Sequence, residues 1–201
     1  MKSTVPRSRR TGFTLVELLV VIAIIIVLAS MGFGAGMVAI NKARKAQAKN
    51  DCVNLVQAVG GYFDDYSHLP DIPSAGTGKG ALTDENVMDI LLGFDKEKNP
   101  KEVRYFSGKQ SSGSSASSAT GGLFYTDSGS TSSAQLFDPW RKEGAGVRHY
   151  YLLLDLDYDE KIKDPTDGSY TIHGRQAAAW STGQDGKDGG TNNRDNVYSW
   201  K

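Results

Sequence analysis

Two stretches of this chain concentrate the oxygen donors that a hard cation requires. The first, Ala177 to Trp200, reads AAAWSTGQDGKDGGTNNRDNVYSW, with glycines set among Asp and Asn side chains. Calcium takes about six to eight oxygens, and glycines let backbone carbonyls turn inward to supply some of them. The same composition also suits a solvated, turn-rich tail. The second stretch is LDLDYDEKIKD. It places Asp155, Asp157, Asp159 and Ile162 at positions one, three, five and eight of an EF-hand loop. Glu160 stands where that loop requires glycine, and Thr166 where it requires a bidentate glutamate. Alternation along a strand would instead put the three aspartates on one solvent face, which is the expectation here.

Catalytic signatures are absent from the sequence. His68, His149 and His173 are scattered without metal-ligand spacing. Gly78-Lys79 is followed by Gly80, and position 73 is Pro, so a phosphate-binding loop fails at two required positions. No Gly-x-Ser-x-Gly nucleophile elbow occurs. The expectation is a protein that is not an enzyme. The net charge is zero with 23% charged residues, which gives no support for nucleic-acid binding.

A third chemically notable group is Glu17. It is the only charged residue between Leu15 and Ile40, in the run LVELLVVIAIIIVLASMGFGAGMVAI. As a helix this run reaches ~39 Å, longer than the ~30 Å hydrocarbon core of a bilayer. A carboxylate near that core is costly and is rarely present without a partner, unless it sits at the interface within reach of water. Lys2, Arg7, Arg9 and Arg10 precede the run and predict a cytoplasmic amino terminus. Without these four, 19 basic residues face 23 acidic ones. An ordinary secretory signal has a shorter apolar stretch and a small-residue cleavage site after it; here a polar helix follows.

Residues Arg9 to Glu17, RRTGFTLVE, closely resemble the processing site of type IV pilins and type II secretion pseudopilins: a basic leader, Gly, then Phe-Thr-Leu-x-Glu opening an apolar helix. The resemblance implies cleavage between Gly12 and Phe13 by a prepilin peptidase, and methylation of the new amino terminus. Glu17 is then the assembly glutamate. A neighbouring subunit shifted along the fibre would set the Phe13 amine beside Glu17, each charge compensating the other where a lone buried charge is strongly unfavourable. The family usually has a proline about twenty residues into the mature helix. This chain has none between Phe13 and Leu69, and carries Gly32, Gly34 and Gly36 there instead. These glycines loosen the helix or, through the Gly32/Gly36 pair, offer a close-packing face.

The elements that must carry these groups follow from periodicity. From Asn41 to Tyr66, apolar residues at Ala43, Ala46, Val53, Val56, Val59 and Phe63 predict an amphipathic continuation of the helix, ended by Leu69-Pro70. Thr83-Asp84-Glu85 caps a predicted short helix through Met88, Ile90, Leu91 and Leu92. Strands are predicted at Val103–Phe106, Leu123–Thr126, His149–Leu156 and Ala177–Ser181. SGKQSSGSSASSATGG, between the first two, predicts a mobile surface loop. The fold class is α+β, and by resemblance it is pilin-like: a long amino-terminal helix packed on a small antiparallel sheet. The expected division is a leader over 1–12, a transmembrane and assembly helix over 13–40, an amphipathic helix over 41–69 and a soluble domain over 70–201.

Asp138-Pro139-Trp140, then Trp180-Ser-Thr-Gly-Gln-Asp185-Gly and Asp-Asn-Val-x-x-Trp200, resemble the major, G-type pseudopilin of type II secretion systems. That family closes its carboxyl-terminal loop around calcium where many type IV pilins use a disulfide. Cys52 is the only cysteine, so no intramolecular disulfide forms, and a buried, small apolar role is expected for it. By resemblance Asp185 is a side-chain ligand of calcium and Thr182 a backbone ligand. The second carboxylate falls on Asn196, with Asp195 beside it. The implied protein is a pseudopilus subunit, anchored once in the bacterial inner membrane with its globular part in the periplasm. Its implied partners are copies of itself, the prepilin peptidase, the inner-membrane assembly platform and minor pseudopilins. A type IV pilin of a surface or DNA-uptake filament, and a singly anchored binding module, are the alternatives.

Overall fold

Residues 12–128, 131–140, 148–187 and 194–201 are described by the computed structural model, the side chains of residues 31–35, 128 and 131 excepted. The leader residues 1–11 and residues 188–193 of the carboxyl-terminal loop therefore lie outside the described residues. The chain divides into two compact units, Met1–Lys42 and Ala43–Lys201. Helix α1, Leu15–Tyr66, contributes residues to both.

In the first unit the helix presents apolar side chains on every side. Phe13 is 82% exposed, and Leu15, Val16 and the Leu18–Val21 and Ile24–Leu28 side chains are all exposed. Among the described residues no helix is long and apolar enough to cross a membrane. The expected crossing helix over 13–40 includes residues 31–35, whose side chains lie outside the described residues.

In the second unit α1 supplies the spine of the main core. Ala48, Cys52, Leu55, Val59 and Tyr62 are buried along one stripe, with Ala58 beside it. The spacings of four, three, four and three keep these side chains on one face. This stripe corrects the predicted one. Ala43 and Ala46 are exposed and Val53 is only half-buried, because the docking face begins at Ala48 and follows Cys52. Cys52 is a free, fully buried cysteine.

A 3₁₀ turn at Pro73–Gly76 leads to β1, Ala81–Leu82, and helix α2, Glu85–Leu92. The Asp84 carboxylate accepts the Asn86 N–H at 3.0 Å, capping α2. Gly93 ends it at φ 77°, accepted by Asp89 O and Ile90 O. Strands β2 (Gly122–Ser128) and β3 (Thr131–Phe137) form an antiparallel hairpin. The expected Val103–Phe106 strand does not form. Tyr105 and Phe106 both donate their N–H to Leu91 O, so this segment is spent on covering the end of α2. The Ser/Gly-rich stretch is not a structureless loop throughout: Gln110 bridges to Leu123 and Ser112 to Thr120.

The central sheet contains β4 (Tyr151–Leu154), β7 (Ala177–Ser181) and β8 (Val197–Tyr198), in antiparallel order β1-β4-β7-β8. Strands β5 (Lys161–Lys163) and β6 (Thr171–His173) pair separately. All five residues of β7 are buried, because the strand is covered on both faces. Ala177 and Ala179 join the core under α1, whereas Ala178 and Trp180 join a second cluster with Leu153, Ile162, Ile172 and Tyr198. Trp180 stacks on Tyr151 at 4.6 Å between ring centres. The architecture is α+β with small antiparallel sheets.

Candidate functional site

The amino-terminal site is built on a helix start. Thr14 and Glu17 satisfy each other: the Thr14 N–H and hydroxyl each donate to Glu17 Oε2 at 2.8 Å, and the Glu17 N–H donates to Thr14 Oγ1 at 3.2 Å. This is a capping box, in which a Thr and a Glu three residues later take up each other's unpaired donors. Glu17 thus has a local role that the sequence reading did not assign, although Thr14-x-x-Glu17 carries its signature. The Glu17 side chain is exposed, as are Gly12 and Phe13. A Cβ on Gly12 would meet nothing within 4 Å, so packing within the chain does not demand glycine there.

The carboxyl-terminal loop is held at both ends by β-structure. β7 delivers Ser181 and Thr182, and β8 brings Val197 back beside Ser181. Beneath them lies Asp138, which is buried. Its carboxylate accepts from Ser181 Oγ at 2.9 Å and from Trp140 N at 3.1 Å, with Arg148 Nε at 3.8 Å. Burial pushes the Asp138 carboxyl up to about 7 despite the nearby guanidinium. Arg148 reaches on to the loop, donating to Gln184 O at 3.2 Å. On the far side Lys49 Nζ of α1 donates to Tyr198 O at 2.6 Å and Lys201 O at 2.5 Å, tying the final strand to the helix.

Within the loop the four residues singled out from sequence fall into two groups. Asp195 Oδ2 accepts the Asp185 backbone N–H at 2.8 Å, and Asp185 Oδ1 accepts the Lys187 N–H at 2.9 Å. Thr182 and Asn196 are buried and meet directly. The inward atom of the Asn196 amide lies 3.0 Å from Thr182 O and 3.2 Å from Lys187 O, and its outward atom lies 3.1 Å from the Tyr198 hydroxyl. Lys187 contributes through its carbonyl, which no side-chain pattern could have announced.

Residues 7–33 match the family described as Prokaryotic N-terminal methylation motif. That match supports a type IV pilin-like prepilin. The motif fits a subunit of the type IV pilin family and suggests a structural role. It implies processing by a prepilin peptidase, assembly into filaments and an inner-membrane-anchored amino terminus. No curated protein and no solved structure matches the chain.

The second acidic stretch departs from its expected form. β4 ends at Leu154, and Asp155 is buried at 2% exposure rather than on a solvent face. Its carboxylate accepts the Asp159 N–H at 3.3 Å and the Glu160 N–H at 2.8 Å. These bonds fold the run into a turn, with Tyr158 and Glu160 in the left-handed region at φ 58° and 59°. The Asp155, Asp157 and Asp159 carboxylates consequently converge, each offering an oxygen within 4.8 Å of the others. Burial, then the neighbouring Asp157, raises the Asp155 carboxyl above its usual range. The trio borders a cavity of about 590 Å³ between the Pro73–Gly78 turn and β5.

Proposed function

We propose that this chain is a structural subunit of a type II secretion pseudopilus, processed between Gly12 and Phe13 and polymerised through its amino-terminal helix to support protein export. The observation that carries the reading is the prepilin motif over residues 7–33, opening on Phe13 and on a helix whose start is capped by Glu17. The basic leader supports a cytoplasmic amino terminus and a periplasmic globular part. The cleaved chain, methylated at Phe13, would join a fibre of its own copies on an inner-membrane assembly platform, with minor pseudopilins.

The secretion assignment is favoured over a surface pilus by the carboxyl-terminal loop. Cys52 is buried on α1, so no disulfide closes that loop. Calcium would close it instead, held by Thr182 O, the Asn196 amide oxygen and Lys187 O, with the Asp185 and Asp195 carboxylates beside them. The donor set fits: these are neutral and anionic oxygens, the class that a hard cation selects. When bound, calcium would supply positive charge that offsets the convergent carbonyl and carboxylate dipoles. The chain's own residues do the positioning, Arg148 and Asp138 beneath the loop and Lys49 beyond it.

The test is co-expression of the full chain with a prepilin peptidase, followed by mass spectrometry of the amino terminus. The expected product begins at N-methylated Phe13 and is lost in Gly12→Leu. A chain that keeps residues 1–12 in the presence of an active peptidase would point instead to a singly anchored binding module.

A further inference from the structure

The Asn196 side chain is buried at 5% exposure, and its two amide atoms face opposite kinds of partner. An amide is nearly symmetric in shape, so a half-turn about its Cβ–Cγ bond exchanges an acceptor for two donors at almost the same positions. With nitrogen inward, it donates to Thr182 O at 3.0 Å and Lys187 O at 3.2 Å, while the oxygen accepts from the Tyr198 hydroxyl. Both loop carbonyls are then satisfied without any ion. With oxygen inward, three oxygens face one another, which is unfavourable unless a cation lies among them.

The outer side pulls the other way. With nitrogen outward, Asn196 Nδ2 donates to the Tyr198 hydroxyl at 3.1 Å. Tyr198 donates to Thr166 Oγ1 at 3.0 Å, and Thr166 donates to Asp164 Oδ1 at 2.7 Å. That chain of donors runs in one direction and ends on a buried carboxylate, a charge-assisted acceptor. With nitrogen inward, the single Tyr198 proton turns back to Asn196, and Thr166 can keep its link to Tyr198 only by turning its own hydroxyl proton away from the Asp164 carboxylate. The inner carbonyls favour one orientation and the outer chain the other, so a cation arriving at the carbonyls tips the balance.

We propose that Asn196 is a two-position switch for the carboxyl-terminal loop: nitrogen inward it locks the loop without metal, and oxygen inward it becomes a calcium ligand. The switch rests on the calcium reading given above. It makes the loop less dependent on calcium than a carboxylate at the same position would, since a carboxylate has no donor to offer Thr182 O and Lys187 O in the empty state. An aspartate there would bring a full charge to the cation, and affinity rises with ligand charge.

Full-length protein in detergent micelles, stripped with chelator and titrated with calcium chloride, tests this by two readouts. The side-chain NH₂ resonance of Asn196 is followed by ¹⁵N NMR, and thermal unfolding is compared between wild type and Asn196→Asp. The switch predicts that calcium moves the Asn196 NH₂ resonance of the wild type. It also predicts that Asn196→Asp lowers the melting temperature in chelator and tightens calcium binding about tenfold. Calcium binding by the wild type with an unmoved Asn196 resonance, or with Asn196→Asp matching wild type in chelator and in calcium, overturns the switch and leaves the calcium reading standing. No calcium response in either protein removes the calcium reading, and the switch with it.

Discussion

The Asp195 carboxylate accepts the backbone N–H of Asp185 at 2.8 Å, across the loop between β7 and β8. One acidic side chain is thus spent on holding the turn that carries the other. This assigns different work to two residues that look alike in sequence: the Asp185 carboxylate accepts the Lys187 N–H within the turn, and the Asp195 carboxylate clamps the turn across the loop.

Calcium should therefore raise the melting temperature of the full-length protein in micelles, and Asp185→Ala should abolish most of that rise. At a hundred times its dissociation constant a ligand of the folded state adds ~2.7 kcal/mol. Asp157→Ala, in the separate Asp155–Asp159 turn, should keep the full response. Retention in Asp185→Ala with loss in Asp157→Ala would move the site to the other turn.

Glu17→Gln should leave cleavage after Gly12 intact while preventing filament formation. A glutamine still completes the capping box with Thr14, since either Glu or Gln can reach back to the cap. The substitution accordingly removes the charge and keeps the helix start. Glu17→Ala loses both, and the cap alone is worth ~1 kcal/mol. Filaments of normal yield from Glu17→Gln would show that compensation of the Phe13 amine plays no part in assembly.

Parts of this fold were legible because local chemistry and burial agree. Asp84 caps α2 as its position before an apolar run predicts, and β7 occupies the predicted Ala177–Ser181 segment. The α1 continuation is legible as a helix, but its buried face begins at Ala48 and not at Ala43, because alanines at either position fit the same apolar spacing. β3 went unseen because Ser132 and Ser133 do not look like strand residues. It forms where Asp89 accepts the Ala134 N–H and the Ser133 hydroxyl, both at 2.8 Å. The aspartate run leaves the expected strand for a related reason. An Asp side chain can take over backbone N–H groups nearby and compete with a ladder, and Asp155 does so with Asp159 and Glu160. At the carboxyl-terminal loop, residue types pointed to oxygen chemistry, but the Lys187 carbonyl has no side-chain signature.

Asp138→Asn should flatten part of the pH dependence of stability, measured by urea unfolding in chelator. The folded Asp138 carboxyl titrates at about 7, whereas an unfolded aspartate titrates near ~3.9. Between those values the folded chain holds the proton and the unfolded chain does not. Stability from this group is full below about pH 4 and falls as pH rises through about 7. Burial lowers the His149 pKa, which gives the opposite slope: stability falls as pH drops through the ordinary histidine range. Comparing wild type with Asp138→Asn isolates the first effect, and identical pH profiles would refute it.

Gly183→Ala should destabilise the protein more than Gly78→Ala does. Both glycines are left-handed, at φ 65° and 59°, a conformation that costs an alanine ~1 kcal/mol. They differ in surroundings. A Cβ on Gly78 would meet nothing within 4 Å, whereas one on Gly183 would overlap the Asp195 backbone carbonyl and reach its carboxylate Oδ2 at 2.9 Å. Making room there must push Asp195 away from the Asp185 N–H that it accepts. The expected loss is about 1 kcal/mol for Gly78→Ala and about 2–3 kcal/mol for Gly183→Ala, read by urea unfolding. Faster hydrogen exchange at the Asp185 amide should accompany the second substitution alone. Equal losses, with Asp185 still protected, would mean that the loop can widen without giving up its clamp.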